Sequence, residues 1–264
     1  VDFDRAYITY KNEYIETEWW ILKNFWERGL LTQNFKTTMH CPRCNTSLSD
    51  HEVSQGMKED VDDPSIYVKF RADPDALVAK GLIEASESRP VFFVIWTTTP
   101  WTIAANVAVA LAGDATYVLA EQLEENGTPV EPHELLVVAE PLLDSVFGED
   151  RWRVVKKVSA QDLVGATYQP CLEGRVESEG KSNIVLIDEI VEISDGTGLV
   201  HIAPAYGDLE IGQRHGLALN HSVDPDGTVV PEVRVPGSAE PAEFVGVFFK
   251  TADKQIIKHL KQRG

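Results

Sequence analysis

The sequence predicts an α+β fold, mainly β: a closed or partly closed β-barrel decorated by helices, with a helical stalk and a Cys-x-x-Cys knuckle. Three observations predict it. Short runs rich in β-branched and aromatic residues recur between residues 57 and about 235, a composition that suits a pleated, half-buried surface. Asp-Gly, Asn-Gly and Gly-Glu pairs punctuate those runs and mark turns. Helical patterning is confined to a few short stretches and to the two ends of the chain, which favours a barrel over an alternating α/β layout. The expected division is 1–56, a stalk helix and Cys knuckle; 57–236, the barrel; and 237–264, a return segment and helix.

In chain order, "NEYIETEWWILKNFWERGLL" comes first. Ile15, Trp19, Leu22 and Trp26 recur at spacings of four, three and four, one face of a helix. Asn12 is the expected N-cap, Glu13 and Glu16 suit the positive end of the helix, and Gly29 suits its stop. Tyr14 and Trp20 widen the apolar surface, so this helix is expected to have a partner on more than one side. Strands are expected in "SIYVKF", "VFFVIWTT", "TYVLA", "ELLVVA", "RWRVVKKV", "NIVLIDEIVEI" and "LVHIA", and helices in "ADPDALVAKGLI", "AEPLLDSVFG" and "DLEIGQRHGL". "IAANVAVALA" fits either a helix or a second buried strand. In the closing "KTADKQIIKHLKQRG", Ala252, Ile256 and Leu260 form one stripe, and Lys258, Lys261 and Arg263 suit a helix C-terminus. The first and last helices are expected to lie near each other, as the two strands of a stalk.

Of the 264 residues, 43% are hydrophobic, enough for a real core. No run of eighteen apolar residues is present, so no membrane-spanning helix is expected. The opening "VDFDRAYITY" carries neither an initiator Met nor a signal-peptide pattern and reads as part of something longer. Three cysteines are too few for a disulfide framework, so a reducing, cytoplasmic compartment is expected. The net charge of −18 repels phosphate backbones at long range. Any nucleic-acid contact must then be local, a strand end rather than a duplex on a basic stripe.

Three features carry candidate chemistry. Cys41-Pro-Arg-Cys44 places two thiols on one side of a tight knuckle, as half of a tetrahedral zinc site requires. A reduced pair without metal and a zinc ribbon completed by a second Cys pair beyond Gly264 both fit. In "VFFVIWTTTPWTIAAN", an apolar strand runs into Thr97, Thr98 and Thr99, and Pro100 ends its pairing. Hydroxyls there can hold a carbonyl, a ribose hydroxyl and a water, though threonines also simply favour strand ends. In "SDGTGLVHIAPAYGDLEIG", His201 sits in a short strand, followed by Gly207, Asp208 and Glu210. His201 fits a satisfied core position as well as a functional one, and Asp208 fits the N-cap of the next helix.

Taken together, "WTTTPWTIAAN" and "GTGLVHIAPAYGDLE" resemble the two signature segments of the editing domain of isoleucyl-tRNA synthetase. "ITYKNEYIETEWWILKNFWERGLL", "CPRCNTSLSDHEV" and "DPSIYVKF" resemble the same family in the same order. The likeness covers nearly the whole chain and is weakest between Glu121 and Lys181. Thr98-Thr99-Pro100-Trp101-Thr102 is similar to the isoleucine form rather than the Arg-containing form of the valine and leucine enzymes. The resemblance implies a β-barrel inserted into a Rossmann-type catalytic domain, hydrolysing Val-tRNA(Ile) and possible substrate valyl-adenylate without aminoacylating anything itself. A synthetic pocket for isoleucine cannot strongly reject valine, since one methylene is worth only ~1–3 kcal/mol; this amino-acid pair is itself the standing example of that limit. A second, tighter pocket can exclude isoleucine by overpacking.

By the same resemblance, Asp208 would pair with the substrate α-ammonium, and Thr97, Thr98 and Thr99 would contact the aminoacyl group and terminal adenosine and help hold the attacking water. His201 and Trp101 would shape the side-chain pocket, with Gly198 and Ala203 also at the substrate. Thr102 and Asn106 would support the loop. The segment "YGDLEIG" is about two residues shorter than the family's, so Glu210 is the alternative acid; alignment on "IGQRHGL" favours Asp208. No cofactor is implied for editing, and zinc only at Cys41 and Cys44 in the full-length enzyme. Implied partners are the tRNA(Ile) 3′ end carrying valine and the remaining synthetase domains, with no membrane and a monomeric state. Two rivals stand beside this reading: a non-catalytic module that grips a tRNA 3′ end, and a threonine-nucleophile hydrolase. The second class normally uses an N-terminal Thr amine as base, and these threonines are internal.

Overall fold

A computed structural model describes residues 6–54, 61–124, 127–131 and 133–263. The expected boundary at 56/57 lies outside the described residues. Two compact units are present, residues 1–36 and 37–264. The first contains helix α1 (Asn12–Glu27), in which no residue is buried. The expected cap is corrected by one position. Lys11 takes the extended N-cap conformation and no side chain caps the helix, so Asn12 is the first helical residue. Gly29 follows with φ +66°, the left-handed conformation that ends helices.

The second unit opens on the Cys knuckle, a hairpin of β1 (His40–Cys41) and β2 (Thr46–Ser47). Ser49 and Glu52 form a reciprocal capping box at α2 (Asp50–Val53), satisfying two free amide donors. Then follow β3 (Ile66–Ala72), α3 (Pro74–Ala79), β4 (Val91–Thr97), a 3-10 helix (Pro100–Ala105), β5 (Ala108–Leu111), β6 (Thr116–Gln122) and β7 (Leu135–Ala139). After these come α4 (Leu143–Phe147), β8 (Trp152–Ser159), α5 (Ala160–Leu163), β9 (Tyr168–Gln169), β10 (Arg175–Ser178), β11 (Ile184–Ile187) and β12 (Leu199–Ile202). The chain ends with α6 (Leu209–His215), β13 (Leu219–His221) and α7 (Phe249–Arg263).

The strands form a six-stranded sheet, β8-β6-β7-β4-β3-β9, a three-stranded sheet, β11-β5-β12, and a β10-β13 pair. One face of the larger sheet (Phe70, Phe93, Ile95, Leu119, Val137) packs against one face of the smaller (Val109, Leu111, Val185, Leu199). Its other face (Val94, Val118, Leu136, Val138) is covered by Leu143 and Phe147 of α4. The outer face of the smaller sheet (Ala108, Ala110, Leu186, Ile202) is covered by Ile211 of α6. Residues two apart thus share a face, as pleated strands require. Of the expected closed or partly closed barrel, the strands of the described residues show a mixed α+β arrangement of several sheets and no closed ladder. Among the described residues the sheets meet at short corners: the Thr167–Ile184 bridge with the bonds Gly165 N–H to Val185 O, Val185 N–H to Ala166 O and Tyr168 N–H to Asn183 O at 2.8, 2.9 and 3.1 Å, and Ala139 N–H to Thr197 O at 2.9 Å.

The open reading of "IAANVAVALA" resolves as both: the 3-10 helix, then β5. Residues 237–263 lie in the same compact unit as the sheets. Ala252 and Ile256 of α7 pack with Ala104, Val230, Val233 and Phe244 in a further apolar cluster. No helix of the described residues is long and apolar enough to cross a membrane.

Candidate functional site

The site begins where β4 runs out. Its antiparallel pairing with β3 ends at Thr97, opposite Ile66. Thr97 Oγ1 then accepts the Thr99 N–H at 3.1 Å, a side-chain turn that competes with continued strand. The hydroxyls of Thr97 and Thr99 lie 3.2 Å apart, as do those of Thr99 and Thr102. Thr102 Oγ1 donates to Thr99 O at 2.8 Å. Thr97 and Thr102 are buried, Thr99 is half-buried and Thr98 is exposed.

His201 reaches this cluster from β12, whose register places it opposite Val109 of β5. Its Nε2 lies 3.4 Å from Thr97 Oγ1 and 3.3 Å from Thr102 Oγ1. The Thr102 proton is committed to Thr99 O, so toward His201 that hydroxyl accepts. This assigns the imidazole proton to Nε2 by hydrogen-bond logic. Nδ1 is enclosed without a partner. Burial pushes the His201 pKa down to about 4, so the ring is neutral at physiological pH and acts as a donor.

The folded protein favours neutral His201, so its contribution is complete above pH ~6.5 and is lost as pH falls toward 4. The drop from 6.5 to about 4 corresponds to on the order of 3 kcal/mol. Urea unfolding of wild type and His201→Asn from pH 7 to 4 should show this loss in the wild type only. Parallel curves for the two proteins would refute it.

The acid comes from the next turn. Asp208 occupies the N-cap position of α6, yet its side chain makes no cap bond. Its Oδ2 instead accepts the Ala203 N–H at 2.8 Å, turning the carboxylate back to the end of β12, two residues past His201. Burial raises its pKa, with the Ala203 N–H opposing. Glu210 is exposed on α6. Of the two candidate acids, Asp208 is the one tied to the strand that carries His201.

Trp101 links the two motif segments a second time. Its ring stacks edge-on against Tyr206 at 4.7 Å and against Phe249 at 4.9 Å. Tyr206 OH in turn accepts the N–H groups of Ser222 and Val223, both at 2.9 Å. Asn106 is buried between the elements, donating to Ala108 O at 2.9 Å and accepting from Tyr168 OH at 2.5 Å. Gly198 has φ +74°, and a Cβ there would lie 2.4 Å from Ala139 Cβ. Its carbonyl accepts from Tyr117 OH at 2.8 Å.

Three residues escaped the sequence reading. Tyr206 lies inside a quoted motif, where its aromatic character was the one signal that could have found it. Phe249 and Asp253, on a charged helix far along the chain, carried no local signal. The Cys pair stands apart from this site. The backbone N–H of Cys44 holds the Cys41 thiol below its usual range. His40 Nε2 lies 2.8 Å from Pro225 O, and among the described residues no third candidate ligand joins the pair. Two thiols alone do not make a four-coordinate zinc site. A cavity of about 570 Å³ opens between β3 and α7, lined in part by Lys69, Arg71, Lys261 and Arg263; neither the site threonines, His201 nor Asp208 lines it.

The family model of class I tRNA synthetases (I, L, M and V) matches residues 1–240. The chain is 38% identical to the isoleucine–tRNA ligase of Dehalococcoides mccartyi strain CBDB1 and 38% identical to that of Thermobifida fusca. Each alignment covers 100% of this chain but only 26% and 22% of the ligase, so the chain spans about a quarter of the length of these curated relatives. In structure it resembles GlLeuRS-CP1, with a TM-score of 0.53, 14% identity, and coverage of 76% of this chain and 96% of that one. It also resembles the editing domain of the P. knowlesi cytosolic leucyl-tRNA synthetase, with a TM-score of 0.51, 10% identity, and coverage of 75% and 93%. At such identities the structural likeness concerns the fold alone.

Proposed function

The chain belongs to the class I tRNA synthetases of the isoleucine, leucine, methionine and valine group, and from that premise we propose that it hydrolyses the valyl ester of tRNA(Ile), and valyl-adenylate, while sparing isoleucyl esters. One observation carries the reading. Two segments a hundred residues apart meet as a cluster of neutral donors and acceptors, Thr97, Thr99, Thr102 and His201, with a half-buried carboxylate bonded to the end of the same strand. In this proposal Asp208 anchors the α-ammonium and the threonine hydroxyls orient a water on the ester carbonyl. The water oxygen bonds to the carbonyl carbon and gives up its protons to solvent, the bond to the ribose oxygen breaks, and that oxygen takes a proton from solvent to leave as the ribose hydroxyl. With valyl-adenylate the bond to the phosphate oxygen breaks and AMP leaves as the anion. Positioning and donors to the developing oxyanion supply the rate. A neutral imidazole that donates to the threonines is poorly placed to deprotonate them, which favours water over a threonine nucleophile.

His201 and Trp101 would set the pocket's size limit, with Gly198 and Ala203 beside it and the exposed Thr98 toward the adenosine. The remaining domains of a synthetase would deliver the tRNA 3′ end. They would also complete any zinc site, to which Cys41 and Cys44 supply two of four ligands. The test is deacylation of Val-tRNA(Ile) against Ile-tRNA(Ile) by this chain, with the valyl ester cleaved preferentially. Binding of the tRNA end without cleavage would establish a non-catalytic module instead. His201→Ala is expected to admit isoleucine and shrink the valine preference by about tenfold or more, the worth of one methylene. Unchanged selectivity would remove His201 from the wall.

A further inference from the structure

The 3-10 helix that follows the threonines is capped from a distance. Thr99 stands at its N-cap position, yet its side chain makes no cap bond, although a threonine there normally accepts one of the first free N–H groups. Pro100 has no N–H, so the first free donor belongs to Trp101. That N–H donates to Asp253 Oδ1 at 3.0 Å, from α7, 152 residues further along. The Thr102 N–H returns to Thr99 O at 3.0 Å. With both donors satisfied, the Thr99 hydroxyl makes its contacts with Thr97 and Thr102 instead.

Asp253 is an expensive way to achieve this. It is 1% exposed, and its Oδ2 has no partner. Burial pushes its pKa up to about 6, against the pull of the Trp101 N–H. Phe249, one helical turn earlier, holds the other side of Trp101. A buried carboxyl with one oxygen unpaired is costly unless its geometry is needed.

We propose that Asp253 is a positioning residue for ester hydrolysis: by capping Trp101 from α7, it frees the Thr99 hydroxyl to join the cluster with Thr97, Thr102 and His201. Without it, the Thr99 side chain rotates onto the Trp101 or Thr102 N–H and leaves the site. The activity side of this proposal rests on the editing reading above; the capping side does not.

In the 264-residue chain, Asp253→Ala is expected to lower kcat for Val-tRNA(Ile) hydrolysis about tenfold with KM within about twofold. Asp253→Asn keeps an oxygen acceptor for Trp101 and is expected to recover kcat to within about threefold of wild type. Adding Thr99→Val to Asp253→Ala should cost little more, because the two changes remove the same hydroxyl from the site. Equal losses in the Ala and Asn variants, or fully additive effects with Thr99→Val, would overturn the proposal. Amide hydrogen exchange supplies a readout that needs neither activity nor a variant. The Trp101 N–H should be strongly protected in the wild type, and a fast-exchanging amide overturns the capping outright. It should stay protected in Asp253→Asn and exchange at least about tenfold faster in Asp253→Ala. A protected amide in a wild-type chain that cleaves neither ester would uphold the capping and overturn the editing reading, so the two failures are distinct.

Discussion

Asp208→Ala is expected to reduce kcat/KM for Val-tRNA(Ile) hydrolysis by about 10²–10³-fold. Removing one member of a desolvated charge pair costs about 2–5 kcal/mol, most of it from the charge left unpaired. Here that charge would be the substrate ammonium. The fold should survive with a modest loss, because the Ala203 N–H that Asp208 caps at 2.8 Å is left without its acceptor, worth ~1–3 kcal/mol. Asp208→Asn separates the two effects: the amide oxygen can still accept from Ala203, but the charge is gone, so stability should return while activity stays low. Glu210→Ala, at an exposed position, should behave like wild type. Steady-state deacylation and thermal melts on the three variants decide the matter. Loss of activity in Glu210→Ala with Asp208→Ala active would move the anchor to Glu210.

Gly198→Ala should damage the fold strongly for so small a change. Two penalties add at that position. A left-handed φ of +74° costs a residue with a Cβ ~1–2 kcal/mol, and the new Cβ would lie 2.4 Å from Ala139 Cβ and 3.0 Å from Ile193 Cδ1. Ala139 is held in β7 and cannot swing aside, so overpacking adds ~1–3 kcal/mol. A total of about 3 kcal/mol corresponds to a fall in Tm of roughly 6–12 °C for a unit of this size. Relief would come by displacing β12, which carries His201, so residual activity should fall as well. A melting temperature within ~2 °C of wild type would show that the turn re-forms without strain.

Most of the strands were legible because their sequences contain little else. β4, β6 and β7 are near-continuous apolar runs buried on both faces, and such runs bounded by turn residues leave few alternatives. The helices α3, α4 and α6 announced themselves by Asp-Pro, Glu-Pro and Gly punctuation. Pattern could not resolve "PWTIAANVAVAL", whose small residues suit a 3-10 turn and a strand equally. The division of the strands into separate sheets was not legible either, since it depends on long-range corner contacts such as Thr167 to Ile184. Of the candidate site, the juxtaposed Thr97, Thr99, Thr102 and His201 were legible through their motifs, as was Asp208 at the end of the same strand. Asp253 was not, because a buried acid in "KTADKQ" looks like any solvated helix residue until its distant partner is known.

The bond from Trp101 to Asp253 also sets a schedule for biosynthesis. A ribosome adding ~5–20 residues per second would expose the threonine loop roughly 8–30 s before the residue that clamps it, given the 152-residue separation. Throughout that interval the nascent loop has strands to lean on but no lock on its first turn. The geometry proposed for hydrolysis would therefore be completed late, when α7 emerges and docks. A chain interrupted upstream of that helix would carry every residue of both motifs and still lack the clamp on the loop's first turn.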